Sequence, residues 1–276
     1  MAAAGPPTII APSQGWVSVR LPELWAYREL LYFLVWREIK VRYKQTAIGV
    51  SWAIVQPFFT MVVFSVFFGR FAGIPSDGVP YPVFAYGALL PWQLFAFALA
   101  ESTNSVVNNQ RLLTKVYFPR VILPLAAIGV GLVDFVLAFV VLFGLMAYFG
   151  IGLASAIWTV PLWTALAVLT ALSAGLWLSA LNVAYRDIRY AVPFLTQIWL
   201  FATPVAYPTS IVPETWRPLY ALNPMVGVVD GFRWALLGTS QPALLTTAIS
   251  AASVVVLLAS GLYYFRRTER TFADII

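Results

Sequence analysis

Two carboxylates, Glu101 and Asp134, stand inside stretches of sequence that are otherwise strongly apolar. A charged carboxylate in lipid costs about 2.5–3.5 kcal/mol on insertion scales, so each must face protein or water, or carry a proton. Beside the first stand Ser102, Thr103, Asn104, Ser105, Asn108 and Asn109. These residue types suit a hydrogen-bonded packing network, or direct contact with a substrate or a proton. No pair of bases accompanies the acids in sequence, and two acids alone do not make a proton relay. Histidine and cysteine are absent, which removes thiolate chemistry, disulfides, imidazole catalysis and most transition-metal sites.

What remains is the chemistry of binding and passage. The chain carries 20 Phe, 13 Tyr and 11 Trp, more than a membrane-interface belt requires. Phe58, Phe59, Tyr86, Trp92, Phe95, Trp199 and Phe201 are candidates to line a route for amphipathic sugar rings, whose C–H faces rest on aromatic rings. Packed or lipid-facing aromatics account for the same letters, and Trp52 and Trp158 suit interfaces. Gly69–Gly73 and Gly227–Gly231 are not followed by the Lys-Ser/Thr of a phosphate-cradling loop, so an ATP-driven process needs another polypeptide. Glycines four apart also let helices approach closely.

The elements that must position these residues are membrane spans. Of 276 residues, 61% are hydrophobic and 10% charged, against roughly a quarter charged in soluble domains. No hydrophilic block is long enough to house a soluble catalytic domain. A bilayer core needs about 20 apolar residues per helix. Ala47–Gly69, Val83–Val107, Val121–Phe149, Ile157–Val183 and Ala243–Phe265 meet that length, and a sixth span from Ile188 to Tyr207 is interrupted by Pro193 and Pro204. The net charge of +6 would suggest nucleic acid in a soluble chain, but its distribution points instead to topology. With the N-terminus inside, all of the 17 basic residues except Arg70, Arg217 and Arg233 fall on the cytoplasmic side.

Three flanking segments complete the plan. Residues 1–21 lack the basic start and apolar core of a signal peptide and read as a disordered cytoplasmic lead; 266–276 read as a cytoplasmic tail. Residues 22–46 read as an amphipathic interface helix, with Leu24, Tyr27, Leu31 and Leu34 on its apolar face and Arg37, Lys40 and Lys44 in another direction. Thr209–Ser240 is too polar and proline-broken to span, yet too apolar for a free loop. Short re-entrant helices in the outer leaflet satisfy both, with Trp216, Tyr220, Asn223, Phe232 and Trp234 as candidates for an outer gate. The expected fold is therefore an all-α integral membrane protein. Six transmembrane helices occupy 47–265, with an N-terminal interface helix before them and short re-entrant helices before the last span.

Several motifs occur in order around these spans. They are Trp36-Arg37-Glu38-Ile39-Lys40-Val41-Arg42-Tyr43-Lys44-Gln45-Thr46-Ala47-Ile48-Gly49, continuing to Trp52 and Gln56-Pro57, then Gly87-Ala88-Leu89-Leu90-Pro91-Trp92. Asn108-Asn109 with Lys115-Val116-Tyr117-Phe118-Pro119-Arg120, Asn182 with Tyr185-Arg186-Asp187-Ile188, and Leu222-Asn223-Pro224-Met225 follow. Through them the chain, over about residues 21–270, resembles the permease subunit of bacterial polysaccharide ABC exporters of the type-2 family. By the first-span motif it is closer to the O-antigen branch than to the capsule branch.

The resemblance implies a homodimer in the bacterial inner membrane, joined by two copies of a separate ATPase that binds ATP and Mg; no cofactor is expected in this chain. Its cargo would be a polysaccharide on undecaprenyl diphosphate, and its other partners membrane lipids, with no nucleic acid. Arg37, Lys40, Arg42 and Lys44, with Arg111, Lys115 and Arg120, are the candidates for coupling to the ATPase or meeting the lipid headgroup. Arg186, Asp187 and Arg189 join them from the next cytoplasmic loop, although positive-inside topology alone would place all of these charges. Two other functions fit a membrane bundle: a type-2 exporter of a drug or small lipid, and an enzyme that polymerises or transfers lipid-linked sugars. The first-span motif disfavours the former, and the sparse acids the latter.

Overall fold

The computed structural model describes residues 21–44 and 51–272, and all regular structure among them is helical. The expected lead through residue 20, the Gln45–Gly49 part of the first-span motif and the last four residues lie outside the described residues. Helices α1 (Leu21–Ala26) and α2 (Arg28–Lys44) precede α3 (Trp52–Phe64), which continues in π-helical register over Ser65–Phe71. Then follow α4 (Tyr81–Asn108), the short α5 (Gln110–Leu113), α6 (Ile122–Tyr148), α7 (Val160–Ala184) and α8 (Ile188–Phe201). The chain closes with α9 (Arg217–Tyr220), α10 (Pro224–Leu237) and α11 (Leu244–Thr268).

Five of these runs are long and apolar enough to cross a membrane: Trp52–Phe71, Tyr81–Asn108, Ile122–Tyr148, Ile157–Ala184 and Leu244–Thr271. The sixth expected span differs. Helix α8 tolerates Pro193 but stops at Phe201 after 14 residues, or about 21 Å at 1.5 Å per residue, short of the roughly 30 Å hydrocarbon core. Pro204 lacks the N–H that would continue the helical ladder, and the chain turns over residues 202–207 instead.

Helix α4 is the central post, buried along most of its length and packed against α3, α6, α7, α8 and α10. Tyr86 donates its hydroxyl to Ala138 O (3.1 Å) and Ser102 donates to Pro124 O (3.2 Å), which sets α6 antiparallel to α4. Buried Asn182 donates to Thr103 O (3.0 Å) and to Asn104 Oδ1 (3.2 Å), so α7 ends beside the end of α4. Trp177 stacks on Tyr264 at 4.4 Å and donates to Ser260 Oγ at 3.2 Å, carrying α11 down the outside of α7. These three helices finish where Arg111, Arg120, Arg186 and Arg266 gather, hereafter the basic end.

The glycine pair of α10 serves packing inside the chain. Gly227 meets Ser250 of α11, and a Cβ on Gly231 would lie 2.2 Å from the indole of Trp163 on α7. That indole is pinned by its Nε1–H bond to Thr159 Oγ1 at 3.1 Å, so it has no easy retreat. Overpacking of this kind costs about 1–3 kcal/mol or more. Gly231→Leu is therefore expected to lower the thermal midpoint of the purified protein strongly, and Gly144→Leu, at a site open around its Cα, to change it little. A fluorescence-detected melting series checks this.

Helix α2 lies along the first half of α6, with the residues just before each helix also in contact. Tyr27 reaches Tyr117 O (3.5 Å), Val35 fills the notch at Gly129, and Arg42 meets Asp134. The apolar stripe assigned to lipid from sequence alone is used largely by the bundle: Leu34 is buried, and Leu24, Tyr27 and Leu31 pack against the core. An aromatic face is left outside instead, with Trp25, Tyr32, Phe33 and Trp36 exposed. Arg28 covers the ring of Trp25 and Lys40 that of Trp36, the aromatic–cation pairing suited to a membrane interface.

Candidate functional site

At the basic end, α2, α4 and α6 enclose a groove of about 310 Å³ lined by Arg37, Glu38, Arg42, Glu101, Asn108 and Asn109 over an apolar floor. A second cavity of about 230 Å³ continues between α3, α4 and α6, past Gln56 and Gln93 to Asp134. Arg42 and Phe97 line both and form the partition, with the guanidinium 4.4 Å from the ring centroid.

The base that the acids lacked in local sequence arrives from α2. Arg42 Nη2 lies 2.8 Å from Asp134 Oδ2, and Tyr43 donates its hydroxyl to the same carboxylate. Burial, with the neighbouring Asp134 charge, pushes the Tyr43 hydroxyl up to about 12, so it stays a donor at neutral pH. Asp134 is thus doubly satisfied about 18 Å along α6 from Ile122, counting 1.5 Å per residue. Arg37 pairs with Glu38 and donates to Asn109 Oδ1 (2.7 Å), tying α2 to the end of α4. Among the described residues no hydrogen bond or ion pair reaches Glu101, whose side chain is exposed to the groove. Nothing in sequence separations of 72 and 91 residues signals the Arg37–Asn109 and Tyr43–Asp134 pairings.

None of the remaining charged candidates lines this groove. Lys40, Lys44, Arg111, Lys115, Arg186, Asp187 and Arg189 are exposed, while Arg120 turns inward over the ring of Phe272. Helix α11 runs on through Arg266, which is buried and pairs with Glu269 at 3.0 Å.

At the opposite end, one arginine organises the irregular backbone. Arg233 on α10 is 3% exposed. It donates to Pro204 O (2.6 Å), Val205 O (2.8 Å) and Tyr207 O (3.2 Å), and its guanidinium lies 3.5 Å from the centre of the Phe84 ring. It thereby satisfies the carbonyls stranded where α8 stops. Asn223 finishes the seam. It accepts from Met225 N as the α10 N-cap and from Trp199 Nε1 (2.9 Å), and donates to Ala202 O (3.0 Å). In the sequence Arg233 stands out only as an exception to the charge bias, because its partners are main-chain atoms that no side-chain motif reveals.

The aromatic candidates divide by position. Trp199, Trp216, Tyr220 and Asn223 converge on one open groove of about 550 Å³. Tyr86, Trp92 and Phe95 are buried within the chain, Phe95 with its ring edge-on to Trp199 at 4.8 Å. Phe232 is buried against Phe135, and Trp234 is partly buried. Phe58 and Phe59 on α3 and Phe201 on α8 are exposed on outward faces.

Five long apolar helices, with polar residues gathered into grooves between elements, define a multi-pass membrane protein. Residues 29–237 match the family model described as ABC-2 type transporter, and the chain belongs to that family of membrane permeases. It is 33% identical to the O-antigen export system permease protein RfbA of Myxococcus xanthus, over 92% of this chain and 98% of that protein. An RfbA of Klebsiella pneumoniae is 26% identical over 90% and 95%. The polysialic acid transport protein KpsM of Escherichia coli is 23% identical over 84% and 91%.

Proposed function

We propose that this chain is the transmembrane subunit of an ABC exporter that moves a lipid-linked polysaccharide, of the O-antigen type on undecaprenyl diphosphate, out of the cytoplasm across the inner membrane. The observation that carries this reading is the near end-to-end similarity to an O-antigen export permease, stronger than that to the polysialic acid transporter. In this reading two copies of the chain form the conduit, and two copies of a separate ATPase supply ATP and Mg chemistry. Both chain ends lie in the cytoplasm, as the basic end and positive-inside bias suggest.

The same reading counts six crossings. Helix α8 with the turn over 202–207 makes the fifth, and α9 and α10 re-enter the outer leaflet. Irregular backbone at such depth needs protein partners for its carbonyls, which Arg233 supplies. The basic belt of α2, Arg37, Lys40 and Arg42, helps receive the diphosphate by charge-assisted bonds, with Arg37 and Arg42 lining the groove beside Glu38 and Glu101. The aromatic groove at the opposite end meets emerging sugars.

Reconstitution with the cognate ATPase and lipid-linked glycan, measuring ATP-dependent delivery to the opposite face, tests the whole reading. Absence of delivery from a correctly folded complex with verified cargo sinks it. Neutralising Arg37, Lys40 and Arg42 together to Gln is expected to weaken binding of the lipid-linked glycan at least about tenfold, a loss of roughly 1.4 kcal/mol. Binding of the sugar-only form should not change. Equal affinity for both forms before and after substitution would reject the headgroup role.

A further inference from the structure

Away from the aromatic groove, a polar cavity of about 270 Å³ lies between the loop after α3, the segment leading to α9, the far half of α10 and the start of α11. Two carboxylates face it. Asp77, held in a left-handed turn at φ 49, accepts from Ser210 Oγ (3.0 Å), and Asp230 accepts from Thr209 Oγ1 (2.8 Å). One short segment thus holds both acids, each through a single oxygen. Among the described residues nothing bonds their second oxygens, and the rim side chains Thr239, Ser240 and Gln241 make no hydrogen bond.

The charges decide the ligand class. Arg233 and Arg217, the latter also paired with Glu214 at 3.6 Å, line the same cavity, so guanidiniums stand among its carboxylates. Burial pushes the Asp230 carboxyl up to about 6, against the pull of Arg233 and the Thr209 bond, and burial lowers Arg233 to about 10. The cavity thus presents both signs of charge. A divalent cation would meet the guanidiniums and an anion would meet the carboxylates. A neutral ligand dense in hydroxyls meets neither penalty, because it donates to the open carboxylate oxygens and exchanges bonds with the rim. Pro208 and Pro242 add apolar surface for a C–H face. The volume suits one ring, being just below the range of sites for larger ligands.

We infer that this cavity is a subsite for a single neutral sugar ring at the exit end, with Asp77 and Asp230 accepting from ring hydroxyls and Thr239, Ser240 and Gln241 closing its rim. The inference rests on the reading of the chain as a glycan exporter and adds a position at which the emerging chain is held. The test is saturation-transfer NMR on the full-length protein in lipid nanodiscs with D-glucose, D-galactose, D-mannose, L-rhamnose and N-acetyl-D-glucosamine. At least one sugar should give ring-proton transfer that falls about fivefold in Asp77→Asn, the weight of one hydrogen bond. The same signal should fall in Ser240→Trp, a rim change that fills the cavity without touching the core.

The subsite is overturned if no sugar gives a signal that both variants reduce, or if calcium binds here in sugar's place and is lost in Asp77→Asn. Stacking in the aromatic groove would survive both variants and is thereby told apart. Delivery of lipid-linked glycan by a chain that binds no sugar here removes the subsite alone. Sugar binding without delivery removes the exporter reading alone.

Discussion

Replacing Arg233 with methionine is expected to abolish recovery of monodisperse protein from the membrane. Methionine fills much of the space but offers no donor, leaving the carbonyls of Pro204, Val205 and Tyr207 without the bonds that Arg233 supplies. Each buried polar group stranded in this way costs about 1–3 kcal/mol. Three of them rival the whole stability of an ordinary domain, roughly 5–15 kcal/mol. Lysine should rescue little, since one ammonium cannot reproduce a planar fork that reaches the carbonyls of Phe84, Pro204, Val205 and Tyr207 and lies over the Phe84 ring. Arg217→Met is the control, because that side chain bonds one carbonyl and an exposed Glu214. Size-exclusion profiles of the three variants check the ranking. A wild-type profile for Arg233→Met would show that the turn after α8 is held by something else.

The second large effect is expected at Arg42 and Asp134. Arg42→Gln strands a carboxylate well inside α6, with Tyr43 as its remaining donor, at a cost near the 2.5–3.5 kcal/mol of an intramembrane acid. Asp134→Asn leaves the guanidinium between two cavities with Phe97 beneath it. Each single change should lower the melting midpoint and ATP-dependent delivery, and the double change should lie nearer the wild type than either. The interaction in that cycle is expected at about 1–3 kcal/mol, reduced by the partial exposure of Arg42. Additivity within about 0.5 kcal/mol would mean that the pair does not couple α2 to α6.

Much of the bundle was legible from sequence because lipid imposes a length, and five apolar runs meet it without help from tertiary contacts. The sixth was less legible. Pro204 marks the interruption in the sequence itself, but the apolar letters continue to Tyr207, and hydropathy alone does not place the helix end at Phe201. The stripe Leu24, Tyr27, Leu31 and Leu34 was read correctly as apolar. Its partner was not fixed by that fact, since lipid tails and the side of α6 accept the same residues. Aromatic letters carried still less information: Tyr86 lies in the core and Phe59 outside, although both satisfy the same chemical description. The pairing of Arg42 with Asp134 was hidden by chain distance, and the role of Arg233 by its choice of main-chain partners.

That choice also sets an order of events during synthesis. The carbonyls of Pro204 and Val205 leave the ribosome 29 and 28 residues ahead of the arginine that caps them. At about 5–20 residues per second they wait one to several seconds. Phe84, on which the same guanidinium rests, waits through 149 residues. Chains cut short between Tyr207 and Arg233 would thus hold an apolar helix ending in uncapped backbone. They should be cleared by membrane proteases much faster than chains cut just after Leu237.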